Sequence, residues 1–383
     1  MNLYTYSGIY LADNQKLLIP TVNCNGLFAI SKANQSQYLG IFNEASHPLA
    51  WMIVASHQID REIYFFSFYQ FCFWKFNLDT KKMEFVEYYK CDESFLVTNV
   101  ELVNNQFWIF SNITTIPILI YDCYTGKVSN LSWDCITDHE GFSITKSVVY
   151  ENKIFFATRK INNVQLAIVD CARKNISYKP IVDAQNIDTL TVYRDEVWLL
   201  YLHNNGKTVV ERYNINDENG LIIPLEDSSI VLNDQEIMYY QLIMYNNSLY
   251  AFSTKDNHIL KINVKNANTK KIVNHQLQSN KKHMSEFVMQ SIQKVENGYL
   301  IYSPNLGYVQ LFNIENEELK SLNFMIDSSE IDMAYNTLLA NGTQTLLEKN
   351  TDDMEYFFNH VVCKQKINEE YSALIGYKIY NSL

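Results

Sequence analysis

Apolar runs recur along this chain at a nearly fixed interval, each opened by a short polar turn. The copies are Leu17-Leu18-Ile19, Ile63-Tyr64-Phe65-Phe66, Phe107-Trp108-Ile109-Phe110, Ile154-Phe155-Phe156, Val197-Trp198-Leu199-Leu200, Leu249-Tyr250-Ala251-Phe252 and Tyr299-Leu300-Ile301-Tyr302. Their first apolar positions are 17, 63, 107, 154, 197, 249 and 299, so the steps are 46, 44, 47, 43, 52 and 50 residues. None of these runs alternates cleanly between polar and apolar positions. Each reads as a strand covered on both faces. A second element follows six of the seven runs: a strand that ends in Asn or Asp and enters a polar turn. Phe76-Asn77-Leu78-Asp79, Ile120-Tyr121-Asp122-Cys123, Ile168-Val169-Asp170, Tyr213-Asn214, Ile262-Asn263 and Phe312-Asn313 are its copies. Upstream of the runs lie further strand-like stretches, such as Phe142–Tyr150, Ile187–Tyr193, Met238–Tyr245 and Val288–Val295. Each unit therefore carries four short strands in roughly 50 residues, the length and content of a propeller blade.

A four-stranded sheet with two apolar faces cannot hide both by itself. Neighbouring units packed face to face in a ring supply both covers. The chain is thus predicted to be all-β, a seven-bladed β-propeller, with six blades as the alternative if one unit is split. The bulky residues Tyr64, Trp108, Phe155, Trp198 and Tyr250 then fill the spaces between blades. The first unit (strands near 3–10, 17–22, 26–30 and 37–42) and the last are both complete. The ring therefore needs no strand exchanged between its ends.

In period and strand pattern residues 1–324 resemble kelch-like and WD40-like β-propellers, although the kelch double glycine and the regular Trp-Asp ending of WD40 blades are absent. The chain reads as a divergent bacterial propeller protein of no specific family. That resemblance implies a binding or scaffold module more often than an enzyme, and a fold that hosts many functions names none of them.

After residue 324 the repeat stops, and 325–383 form a C-terminal extension. Thr351 can cap a helix whose first turn holds Asp352 and Asp353. Met354, Phe357, Phe358, Val361 and Val362 share one face of it. A second segment, Asn368–Leu383, also has apolar residues at helical spacing. Two short amphipathic helices are expected here, either packed on the rim or serving to dock a partner.

Composition narrows the function classes. The 383 residues carry 31 Lys and Arg against 42 Asp and Glu, a net charge of −11. The longest basic cluster is Lys281-Lys282-His283, which disfavours nucleic acid and anionic membrane surfaces as partners. The seven cysteines are odd in number and show no Cys-x-x-Cys spacing. That disfavours a zinc ribbon, a redox motif or a complete disulfide framework. With no signal-like start and no apolar run of the roughly 20 residues that span a bilayer, the expected location is the cytoplasm.

No nucleotide-binding, zinc-protease, hydrolase-elbow or EF-hand motif is present. No catalytic residue, metal ligand or cofactor is assigned. If a site exists, it belongs at the channel mouth, or on the face where the loops between second and third strands project together with the between-blade loops. Ligand-binding candidates there are Tyr69, His139, Glu140, Arg159, Lys160, His203, Lys207, Lys255, His258 and Tyr308. Two function classes follow. One is a non-enzymatic interaction module that holds a protein or peptide on the loop face. The other is a propeller enzyme (hydrolase, lyase or cyclase) or a glycan- or peptide-binding protein at the channel mouth. The enzyme reading expects His203, His258, His139, Glu140 and Asp256 to converge with perturbed protonation. Carbohydrate binding through loop-tip Tyr69 and Tyr308 is a third option, and catalysis is the less favoured class.

Overall fold

The computed structural model describes residues 7–340 apart from several connecting segments, the longest at 44–51, 134–142 and 275–290. The expected helices at 351–362 and 368–383 lie outside the described residues.

Seven antiparallel sheets follow one another along the chain, so the seven-blade reading holds and the six-blade alternative falls away. Blade one contains β1 (Ile9–Leu11), β2 (Lys16–Pro20), β3 (Gly26–Ser31) and β4 (Ser36–Ile41). Blade two contains β5 (Ile53–Ile59), β6 (Glu62–Ser67), β7 (Cys72–Asn77) and β8 (Met83–Glu87). Blade three contains β9 (Val97–Val103), β10 (Gln106–Ser111), β11 (Ile118–Asp122) and β12 (Val128–Leu131). In blade four the first strand is interrupted, giving β13 (Ser143–Ile144) and β14 (Val148–Tyr150) beside β15 (Lys153–Arg159), β16 (Gln165–Asp170) and β17 (Asn175–Pro180). Blade five runs β18 (Ala184–Tyr193), β19 (Glu196–His203), β20 (Thr208–Asn214), β21 (Gly220–Pro224). Blade six runs β22 (Tyr239–Tyr245), β23 (Ser248–Ser253), β24 (His258–Asn263), β25 (Thr269–Val273). Blade seven runs β26 (Ser291–Val295), β27 (Gly298–Ser303), β28 (Tyr308–Asn313), β29 (Glu318–Leu322). The repeated apolar runs are the second strands.

Each second strand serves two seams at once. Along β10, Phe107 and Ile109 join the cluster shared with blade two, which includes Tyr64 and Phe66. Trp108 and Phe110 join the cluster shared with blade four, with Ile154 and Phe156. The same division holds along β6 and β19, and seven such clusters close the ring. Successive side chains of a strand point to opposite faces. A strand apolar at every position is therefore the sequence signature of a sheet held between two others. The five bulky residues assigned to inter-blade filling are all buried.

Two turn types punctuate the repeat. Asn104-Asn105, Arg194-Asp195 and Asn246-Asn247 have positive φ at both residues, the type I′ geometry that suits two-residue hairpins between first and second strands. At the outer hairpins the terminal Asn or Asp folds back on its own turn. Asp122 Oδ1 accepts from the amides of Tyr124 (3.2 Å) and Thr125 (2.9 Å). Asp170 does so with Ala172 and Arg173, and Asn313 with Glu315 and Asn316. Local side-chain hydrogen bonds of this kind explain why Asn and Asp recur there while glycine is scarce.

The ring closes without strand exchange. Leu17 and Ile19 of blade one pack with Leu300, Tyr302 and Val309 of blade seven. Gly8 is required at this joint, because a Cβ there would stand 2.5 Å from the Tyr302 ring. After blade seven the chain forms α1 (Ser328–Ala340), a helix that the sequence reading missed. Among its described side chains Ile331 and Ala334 are buried with Phe28, while Met333 is exposed. The helix lies along β4, the outer edge of blade one. There the Glu330 carboxylate accepts from the Tyr38 amide, and Ser36 Oγ accepts from the Asp327 amide at 2.9 Å.

Candidate functional site

The first strands of successive blades neighbour one another, β1 with β5, β5 with β9, β9 with β14, β14 with β18, and β18 with β22. They therefore wall the central axis. In five consecutive blades these strands carry an extra residue at one equivalent level, opposite the third and fourth positions after the start of the apolar run. The extra residues are Val54, Thr98, Asp188 and Tyr240 in blades two, three, five and six. In blade four, Thr145–Ser147 occupy the gap between the pairs Ile144↔Thr158 and Val148↔Phe155. A bulge shifts the alternation of a strand by one and re-aims its side chains.

Polar side chains along this wall bond between blades. Ser7 Oγ and Ser56 Oγ are 3.2 Å apart across blades one and two. His57 Nε2 donates to the Val100 carbonyl at 2.9 Å, joining two and three. Asn99 Nδ2 donates to the Thr145 carbonyl, and Ser147 Oγ donates to Glu101 at 2.6 Å, joining three and four. The Lys146 ammonium lies 3.7 Å from the same Glu101 carboxylate. Asp188 accepts from the amides of Met238 (2.9 Å) and Tyr239 (2.7 Å), joining five and six. Gln293 accepts from the Tyr10 amide at 2.8 Å, joining seven and one.

Lys146, Glu101 and Tyr240, drawn from blades four, three and six, form the most chemically distinctive part of this belt. Burial disfavours the Lys146 ammonium, but the Glu101 carboxylate and the Tyr240 phenol together outweigh it and hold the lysine above its usual range. Burial raises the Tyr240 phenol, Lys146 opposing and Glu101 reinforcing the shift. His57 goes the other way: burial among Phe66 and Phe107 keeps it below its ordinary value of 6.5. The side chains of Lys146 and Glu101 keep 21% and 14% of their surface exposed.

The loop-face candidates have local surroundings. Tyr69 is half-buried in the turn between β6 and β7, against Phe68, and its amide donates to Ser67 Oγ. It is not a projecting ring, and burial raises its phenol. His203 ends β19, its Nδ1 accepting from the Asn205 amide at 3.2 Å and its ring parallel to Tyr201. Lys207 is exposed in the same turn. His258 begins β24, with Nε2 3.3 Å from the Tyr239 hydroxyl. Arg159 ends β15 and Tyr308 begins β28. His139, Glu140, Lys160 and Lys255, with Asp256, lie outside the described residues. The two described histidines of the expected convergence thus sit on different blades, each with its own partner.

Sequence reading missed Glu101, Lys146, Asp188 and Tyr240. The one signal was a break in alternation, as at Thr145-Lys146-Ser147-Val148, where a lysine interrupts a strand-like stretch.

Among the described residues no group of three or more His, Cys, Asp or Glu could hold a metal ion, and no helix is long and apolar enough to cross a membrane. Described cysteines 72, 91, 123 and 171 are free thiols, and burial pushes Cys123 and Cys171 up to about 12.

No family model matches the chain, and no curated protein matches it. Among solved structures it is similar to virginiamycin B lyase from Staphylococcus aureus, with a TM-score of 0.56 at 12% identity, covering 80% of this chain and 94% of that one. A catalytically inactive variant of that lyase, solved with quinupristin, gives a TM-score of 0.55 at 12% identity, covering 80% and 93%. Hydrazine synthase from Kuenenia stuttgartiensis gives 0.51 at 10% identity, covering 85% and 97%. At such identities the likeness is one of fold alone: the chain is a divergent seven-bladed β-propeller of no established family.

Proposed function

We propose that this protein is a non-enzymatic interaction module, a rigid ring that presents its loop face to a protein or peptide partner. One observation supports this above the rest. The polar groups of the first strands are engaged with one another between blades, from Ser7–Ser56 through Glu101–Ser147 to Gln293–Tyr10. They stiffen the ring rather than standing ready as an acid and a base. The loop face then carries the residues with least structural duty, Lys207 among them. The free thiols fit a reducing compartment, in line with a cytoplasmic location.

A second reading rests on Lys146, Glu101 and Tyr240. A partly exposed ammonium beside a phenol suits a small anionic ligand, such as a glycan acid or a peptide carboxylate, bound at the channel mouth. Virginiamycin B lyase lends an enzymatic version of this reading only an analogy of fold.

Photo-crosslinkers placed at Asn205 and Lys207, both exposed in the turn after β19, with controls at Asn105 and Asn247 in the turns of the opposite face, separate the two. Capture of a common partner from the loop face alone supports the module. Equal capture from both faces counts against it. A ligand whose binding is lost in Lys146→Met and kept in Lys207→Glu moves the function to the channel.

A further inference from the structure

Sheet edges invite pairing with other chains unless charge, shape or a covering element blunts them. The outer strands β8, β17, β25 and β29 carry Glu or Lys side chains. β4, Ser36-Gln37-Tyr38-Leu39-Gly40-Ile41, carries no charge. Its edge is taken instead by α1, an element that follows blade seven in the chain. The Tyr38 amide is directed away from β3 and donates to the Glu330 carboxylate. Ser36 Oγ accepts from the Asp327 amide at 2.9 Å and donates to Asp327 Oδ2 at 3.3 Å. The Asp327 carbonyl in turn accepts from the Glu330 and Ile331 amides that start the helix. Beside these polar contacts Ile331 and Ala334 pack with Phe28. Glu330 thus fills, with a side-chain acceptor, the place where the carbonyl of an added strand would stand.

We infer that α1 is an autoinhibitory cover, which keeps β4 from pairing antiparallel with β4 of a second copy. The occupant follows from the strand itself. An antiparallel edge is self-complementary: with Tyr38 of one copy opposite Tyr38 of the other, each amide meets the other's carbonyl. That register sets Ser36 opposite Gly40 and Gln37 opposite Leu39, so no like charges meet. The same two-fold pairing of β25 would bring Lys270 and Lys271 of both copies together. The β4 contact uses one patch on both copies and closes on itself, so release of the helix gives a dimer and not a fibre. It concerns the rim of blade one and not the loop face, so its test stands apart from the one proposed above.

The experiment follows the full-length protein by sedimentation and by amide hydrogen exchange over a range of concentrations. Ile331→Asp puts a charge on the buried side of α1 and leaves the sheet residues untouched. Glu330→Ala is milder and removes only the acceptor of the Tyr38 amide. Both variants should form dimers more tightly than the unaltered protein, Ile331→Asp by about tenfold or more. In Ile331→Asp, exchange at Tyr38 should slow as concentration rises. Gln37 is exposed, and adding Gln37→Lys to Ile331→Asp should return the chain to single rings, because it sets a charge on the edge. Single rings at every concentration in both α1 variants overturn the inference, as does association that leaves Tyr38 exchange unchanged. Association that survives Gln37→Lys also overturns it and places the contact elsewhere. Dimers of the unaltered protein that Gln37→Lys dissociates would show the edge open with α1 in place, and would overturn the cover.

Discussion

Gln293 of blade seven accepts a hydrogen bond from the backbone amide of Tyr10 in blade one at 2.8 Å, and its own amide returns one to the Tyr10 carbonyl at 3.5 Å. This pair makes main-chain-like contacts across the joint where the ring closes. Gln293→Leu keeps the bulk and leaves the Tyr10 amide without its acceptor. It should cost about 1–3 kcal/mol in chemical denaturation, with less loss in Gln293→Glu. An unchanged midpoint in Gln293→Leu would show that packing of Leu17, Ile19 and Leu300 alone closes the ring.

Glu317 ties blade seven to blade six. Its carboxylate pairs with Lys261, with Lys270 at 2.7 Å, and accepts from the Tyr250 hydroxyl at 3.3 Å. Burial acts against its charged form, yet the two lysines outweigh it and hold Glu317 down at about 2, below its usual 4.5. A depressed carboxylate contributes stability above its unfolded value, and that contribution is lost as pH falls from 4.5 towards 2. Glu317→Gln should destabilise by about 1 kcal/mol at neutral pH, the upper range for pairs with exposed partners. It should also flatten the stability curve between pH 4.5 and 2. Denaturation across that window checks both.

His57 should give a second, separate acid limb. Burial keeps its imidazole neutral in the folded state, Glu101 opposing this and Lys146 reinforcing it. The unfolded chain takes up a proton near pH 6.5 and the folded one only at lower pH. Stability therefore falls as pH drops below 6.5, by at most about 1.4 kcal/mol per pH unit. His57→Gln retains a donor for the Val100 carbonyl and should remove that slope. A variant with the wild-type slope between pH 6.5 and 5 would assign it to other groups.

Helix α1 is expected to act as the cover of blade one. Ile331→Ala removes a buried side chain packed with Phe28 and should cost about 2–4 kcal/mol. Its hydrogen-exchange signature is faster exchange confined to β3 and β4. Uniformly faster exchange would mean that the helix supports the whole ring.

The outer turns supply a graded test. Asp122 is held below its ordinary value chiefly by the Thr125 amide, with Gln106 adding to it. Asp122→Asn keeps an acceptor and should leave the melting temperature nearly unchanged, whereas Asp122→Ala should lower it. Equal melting of the two variants would deny the side-chain turn its part in the repeat.

The blades were legible in the sequence because their signal is local and repeated. Unbroken apolar strands such as Ile63–Phe66 and turn-forming residues such as Asn77 and Asp122 act within a few positions, and seven copies reinforce one another. The belt around the axis was not legible, because Lys146, Glu101 and Tyr240 are far apart in the chain and are aimed by bulges. A bulge leaves no composition signature. Helix α1 escaped for a different reason: of its described side chains Ile331 and Ala334 are buried while Met333 is exposed, a mixed pattern with no clean apolar face to read. The loop candidates were chosen by residue type, and Tyr69, half-buried against Phe68, shows that residue type alone does not tell a projecting ring from a packed one.

The sharing of each second strand between two seams has an evolutionary consequence. Phe107 and Trp108 are adjacent in the chain but fill different seams, whereas Phe107 and Tyr64 pack at 4.9 Å from different blades. A change of volume at Phe107 is therefore compensated at Tyr64, one repeat earlier, and not at its neighbour. Substitutions in such a ring are expected to be coupled at the length of the repeat, each blade setting the volumes that the two beside it must match.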